Sequence, residues 1–332
     1  MNLRDRPLPV RLMRAPRPLP QLRRHGLAAL LCAVACGGAQ AGVTNATIAI
    51  TTQVTMLQPL SGPSQPSLPM VDKRMGEQVV FVPATIGGDP ITLQTTIFKP
   101  PGNGPFPVLF MNHGKSGGSD AHLQERARYT VLSKQFIRRG YAVVIPMRLG
   151  FAGSGGIYVN SHCRAEQNGD DQANSLFFAM QYAMKQPWAD QQRVLIAGQS
   201  HGGLTAIAAG SHNISGVRGV INFAGGVNSR SKCDWQGALV DAFKNYGARS
   251  RVPTLWFYGA NDIHFGPKLA EDMYAAYTGA GGKAQLVAFG PFKKDAHPMV
   301  NSAEGVPIWL PETDRFLKTI GMPTAIKYAI KD

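Results

Sequence analysis

With 332 residues, of which 44% are hydrophobic and 16% charged, the chain has the make-up of a globular protein and not of a disordered or fibrous one. Its formal charge of +14 is concentrated at the N-terminus, where seven arginines and one aspartate precede Gly42, so loss of that segment leaves +8. The remaining excess is spread out, without the basic clusters interleaved with aromatics that a nucleic-acid surface needs, and no nucleic-acid partner is expected.

The apolar run Leu27–Ala35 follows an arginine-rich stretch and leads to Ala39-Gln40-Ala41, so residues 1–41 read as a signal peptide cleaved before Gly42. The run is too short to span a bilayer, and no later stretch approaches about 18 apolar residues. An exported protein, periplasmic or secreted, with no integral membrane segment is expected. Three variations remain open: a start at Met13, a twin-arginine route through Arg23-Arg24, and lipid anchoring at Cys36 through a loose lipobox. Cleavage removes Cys32 and Cys36, leaving Cys163 and Cys233 as the one pair. In an oxidising compartment a disulfide between them is expected, with two free thiols as the alternative.

Residues 42–75 carry few periodic signals and several Pro, Ser and Gln, and read as an extended arm. Strands are then predicted at 78–83 and 91–98, the second alternating Ile91, Leu93, Thr95 and Ile97 on one face. Short apolar runs at 108–112, 141–145, 194–197, 217–223, 254–258 and 285–289 read as buried parallel strands. Helices are predicted near 121–138, 168–186, just after Gly203, and near 236–246, 267–278 and 311–320. This alternation implies a mostly parallel sheet with helices on both faces, binding ligands beyond the carboxyl ends of its strands.

Gly198-Gln-Ser-His-Gly202 follows the strand at 194–197 directly and opens a helix rich in small residues. A sharp turn there strains the serine and exposes its hydroxyl, which makes Ser200 the candidate nucleophile. The hydroxyl needs a base, and the base an orienting acid. His297 and Asp262 follow Ser200 on later strand ends; Asp295 is too near His297 in sequence to turn back onto it, and His264 is expected to diverge from Asp262. Backbone N–H groups must receive the charge that develops on the substrate oxygen. His201 supplies one, and the His113-Gly-Lys-Ser-Gly-Gly118 loop the other, from Lys115 or, failing that, Gly114. Gly114-Lys-Ser116 is not a phosphate loop, because Leu109 stands where its first glycine belongs. No metal or other cofactor is expected, since no histidines show ligand spacing.

These residues resemble the α/β-hydrolase superfamily, and within it the dienelactone hydrolase-like group and its prolyl-oligopeptidase-like relatives, over residues 78–320. Arg148-Leu-Gly-Phe-Ala-Gly-Ser-Gly-Gly156 is similar to the R-G-x-G-x-S-G loop of those families, as is Gln186-Pro-Trp-Ala-Asp190 to the approach to their nucleophile strand. The resemblance implies an α/β-hydrolase catalytic domain over 76–332. The stretch between Phe223 and Thr254 is too short for a large cap domain, so an open, loop-lined pocket is expected. Ser200 stands where true dienelactone hydrolases carry cysteine, so activity on dienelactone is not implied. The expected activity is hydrolysis of a small carboxylic ester through an acyl-enzyme. A peptidase or amidase is the alternative, weakened by the absence of a gating propeller from the sequence, and a non-catalytic binding protein a remote third.

Overall fold

The computed structural model describes residues 70–330, apart from 117–119. The predicted signal peptide, with its lipobox, and the predicted arm as far as residue 69 lie outside the described residues. Strands β1 (Glu77–Ile86) and β2 (Asp89–Phe98) form an antiparallel hairpin. Its turn is Gly87-Gly88, with φ of 68° and 94°, the left-handed conformation that a two-residue hairpin requires and glycine adopts without strain.

Six further strands follow: β3 (Phe106–Asn112), β4 (Ala142–Pro146), β5 (Ala189–Gln199), β6 (Val217–Phe223), β7 (Thr254–Gly259) and β8 (Ala284–Phe289). The sheet order is β1-β2-β4-β3-β5-β6-β7-β8. β2 meets β4 antiparallel, and every pairing from β4 through β8 is parallel.

Side chains alternate between two cores. On β3, Val108 and Phe110 face one side while Leu109 and Met111 face the other; on β5, Val194 and Ile196 oppose Leu195 and Ala197. The first core is closed by α2 (Ala165–Met184), α3 (His201–Gly210), α4 (Trp235–Arg249) and α5 (Pro267–Gly279), through residues such as Leu176, Leu204, Phe243 and Met273. The second is closed by α1 (Thr130–Arg138) and α6 (Val306–Thr319), through Phe136, Trp309 and Phe316. Both faces of the central strands are therefore dry, which explains why they read as continuous apolar runs. Among the described residues no helix is long and apolar enough to cross a membrane.

Three predicted helix boundaries are corrected. The stretch expected to be helical from 121 has only a 3₁₀ turn at Ala121–Leu123 before α1 begins at Thr130. Tyr129, at φ 44°, breaks the path between them. Helix α2 starts at Ala165, three residues early. Helix α6 starts at Val306, because Pro307 sits in the first turn, where no N–H is needed. Between β6 and β7, α4 packs its Leu239 and Phe243 into the core instead of rising over the strand ends as a cap.

Candidate active site

The chemistry-bearing residues gather on the loops that leave the carboxyl ends of the parallel strands. Ser200 joins β5 to α3 with φ 57° and ψ −126°, a sparsely populated conformation for a residue with a side chain. Small neighbours permit the turn. A Cβ at Gly198 would run into the carbonyl oxygen of Gly202, and a Cβ at Gly202 into that of Asn112. The serine itself is half-buried at the head of the helix.

Asp262 follows β7 and His297 follows β8. Nδ1 of His297 lies 3.0 Å from Oδ2 of Asp262. The other carboxylate oxygen accepts the backbone N–H of His264 at 2.8 Å and of Phe265 at 2.9 Å, so the fully buried acid is held on both sides. With Nδ1 facing a carboxylate, the imidazole proton belongs there and Nε2 keeps its lone pair. Asp295 does not compete: its Oδ1 accepts the backbone N–H of His297 at 2.9 Å and of Ile263 at 3.3 Å. Among the described hydrogen bonds none joins Ser200 to His297; the two loops are tied one residue away, where Gln199 Nε2 donates to the carbonyl of His297 at 3.2 Å.

The exposed His264 ring makes no described hydrogen bond to the Asp262 carboxylate and packs against the ring of His297, with centroids 4.5 Å apart.

The predicted oxyanion donors can be placed too. The N–H of His201, at the first position of α3, has no acceptor within the helix. The N–H of Gly114 is engaged, donating to the Tyr129 hydroxyl at 3.0 Å, which removes the fallback donor. No described hydrogen bond uses the N–H of Lys115. Tyr129 in turn donates to Gln199 Oε1 at 3.3 Å, so a relay runs from the oxyanion loop through the residue before Ser200 to the His297 loop. Burial pushes the Tyr129 hydroxyl up to about 12, and it stays protonated.

Beneath this surface lies a cluster that sequence reasoning left without a role. The side chain of Arg148, from the loop after β4, is fully buried against His113 and His201. Both imidazoles are held well below their ordinary pKa, first by burial and then by the Arg148 charge, and are neutral. On the same edge the structure joins Cys163 to Cys233 in a disulfide, with Cα atoms 6.4 Å apart. It links the loop after β4 to the loop after β6.

The sheet order, the strained Ser200 between β5 and α3, and an acid and a histidine on the next strand ends together match one architecture. The chain has the α/β-hydrolase fold. A family model for X-Pro dipeptidyl-peptidase of the S15 family matches residues 88–248 of this chain. Among solved structures, it resembles a Klebsiella pneumoniae protein described as a dienelactone hydrolase, at 16% identity and a TM-score of 0.51, covering 74% of this chain and 98% of that one. The Est1E protein of Butyrivibrio proteoclasticus, solved with ferulic acid bound, is 16% identical with a TM-score of 0.54, covering 73% and 99%. An acylaminoacyl peptidase from Pyrococcus horikoshii is 14% identical with a TM-score of 0.56, covering 76% of this chain. This chain spans only 43% of that peptidase's length. No curated protein matches the sequence.

Proposed function

We propose that this α/β-hydrolase is an exported serine esterase cleaving small carboxylic esters through an acyl-enzyme. The observation that carries the reading is the conformation of Ser200, strained at a strand-to-helix turn whose preceding residue, Gln199, bonds the loop of the Asp262–His297 pair. Nε2 of His297 takes the Ser200 proton as Oγ attacks the ester carbonyl. The N–H groups of His201 and Lys115 receive the charge that forms on the carbonyl oxygen. The tetrahedral intermediate then collapses: the C–O bond to the alcohol breaks, and the alcohol leaves with the proton that His297 holds. Water, deprotonated by His297, attacks the acyl-serine, and the same steps release the carboxylic acid and restore Ser200. Asp262 keeps the imidazole in the required tautomer and stabilises its charged form. No cofactor enters these steps, and export accords with the disulfide.

The second reading, a peptidase, is favoured by the match to the X-Pro dipeptidyl-peptidase model. Against it stands the charge around Ser200. The charges of the buried Arg148 and of Lys115 act on His201, the residue after Ser200, and the Asp262 carboxylate is committed to His297. Such surroundings repel the free α-ammonium that a dipeptidyl-peptidase must accept. A panel of p-nitrophenyl esters run beside aminoacyl arylamides separates the two. Turnover of esters at a kcat/KM well above that of any arylamide is expected; the reverse order would establish the peptidase.

A further inference from the structure

A buried arginine ordinarily sits against a carboxylate, because a charge taken out of water without a partner costs folding free energy. Arg148 does not. Its side chain has no solvent exposure, and among the described residues no ion pair includes it. Nε donates to Gln172 Oε1 at 3.0 Å, Nη1 to the carbonyl of His113 at 2.5 Å and Nη2 to Nδ1 of His201 at 3.1 Å. Its backbone N–H donates to Nε2 of His113 at 3.1 Å, and its guanidinium lies 5.3 Å from the Phe151 ring. Every one of these partners is neutral.

The partners are also the two ends of the proposed oxyanion cradle. His113 opens the loop that carries Lys115, and its Nδ1 lies 2.7 Å from the carbonyl of Gly114. His201 carries the other donor, and its Nε2 lies 2.5 Å from Asn168 Oδ1. Arg148 fixes both tautomers, since each imidazole must present a lone pair to an Arg148 N–H and so directs its proton to the far side. Burial pushes the guanidinium down to about 10, which leaves it charged at neutral pH.

We propose that Arg148 is a positioning residue for the oxyanion cradle, holding the His113 and His201 segments in register and setting behind them a positive charge that is compensated only when negative charge forms on the substrate oxygen. The inference rests on the reading of Ser200 as nucleophile. A fixed charge in a dry site acts on the transition state without having to reorganise. The ground-state ester, being neutral, gains little from it.

The deciding variant is Gln172→Glu, which keeps the shape of the side chain and gives Arg148 a carboxylate at the Nε position. A purely structural arginine would tolerate or welcome it. The readout is the second-order rate of Ser200 phosphonylation by a fluorophosphonate, in which the Oγ–P bond forms, fluoride leaves and negative charge passes through the phosphoryl oxygen. Gln172→Glu is expected to slow labelling roughly tenfold or more with Tm unchanged or raised, and Arg148→Gln to slow it on the order of 100-fold. On any ester that is turned over, kcat should fall in the same proportion while KM stays within about threefold. Labelling of both variants within threefold of wild type would overturn the proposal, and Gln172→Glu decides alone if Arg148→Gln does not fold. Failure of the wild type to be labelled at all would instead refute the nucleophile.

Discussion

The His264 and His297 rings lie in contact, their planes 60° apart and their centroids separated by 4.5 Å, yet the Asp262 carboxylate receives a ring nitrogen only from His297. His264 reaches that carboxylate with its backbone N–H, which survives any side-chain substitution. His297→Ala should therefore cost nearly the whole effect of the triad, on the order of 10⁶ in kcat, and adding Ser200→Ala to it should cost little more. Asp262→Asn should cost less, because the base remains in a poorly held tautomer. His264→Ala should stay within about tenfold of wild type. Steady-state kinetics on one p-nitrophenyl ester checks all four. Abolished hydrolysis in a folded His264→Ala alongside near-normal His297→Ala would reassign the base.

The bridge between Cys163 and Cys233 closes a loop of 70 residues across the active-site edge. On the chain-entropy model such a loop contributes about 4 kcal/mol by restricting the unfolded chain. The double variant Cys163→Ala with Cys233→Ala should unfold at lower denaturant concentration by about that amount, and the wild type should lose the same on reduction. Peptide mapping without reductant that found both thiols free in protein recovered from an oxidising compartment would contradict the bridge.

Glu77, whose side chain is fully buried at the start of β1, accepts from Arg126 at 2.8 Å, from Arg128, and from the backbone N–H of Asp72 at 2.6 Å. Burial pushes this carboxyl up, but the bonds from Arg128 and Arg126 outweigh it and hold the group below its ordinary range. A depressed carboxyl stabilises the fold in full above its unfolded pKa and loses that contribution as pH falls through the folded value. Glu77→Gln should therefore destabilise by about 3 kcal/mol at neutral pH. The penalty should shrink as pH falls through the depressed folded value of this carboxyl. Urea unfolding of both proteins at neutral and at acid pH tests this, and a penalty that is the same at both would count against it.

Leu123, Ile157, Val159 and Ile263, on the loops after β3, β4 and β7, are 81%, 77%, 57% and 72% exposed and stand out toward water. Butyryl esters should be hydrolysed with higher kcat/KM than palmitoyl esters. The opposite order would mean that these loops close over long chains.

How much of this was legible in the sequence varies with the kind of signal. The strands were, because β3, β4 and β7 are buried at every position and are apolar at nearly all of them. The Ser200 turn was too, since its glycines are imposed by backbone contacts that no larger residue could make. The 121–138 stretch was misread because its composition suits a helix, while Gln124, Arg126 and Arg128 serve Gly114 and Glu77, contacts distant in sequence. Arg148 was visible as part of a family-like loop, but nothing in a sequence tells a buried arginine from a solvated one. Tyr129 and Gln199 went unnoticed for the same reason. Each acts through hydrogen bonds to residues distant in sequence, which leave no periodic trace.

The central claim is that Ser200 is a catalytic nucleophile. Fluorophosphonate treatment followed by peptide mass spectrometry tests it most directly. The account predicts one adduct, on the peptide bearing Ser200, and none in Ser200→Ala, with ester hydrolysis reduced on the order of 10⁶. Undiminished labelling or hydrolysis in a folded Ser200→Ala would contradict it.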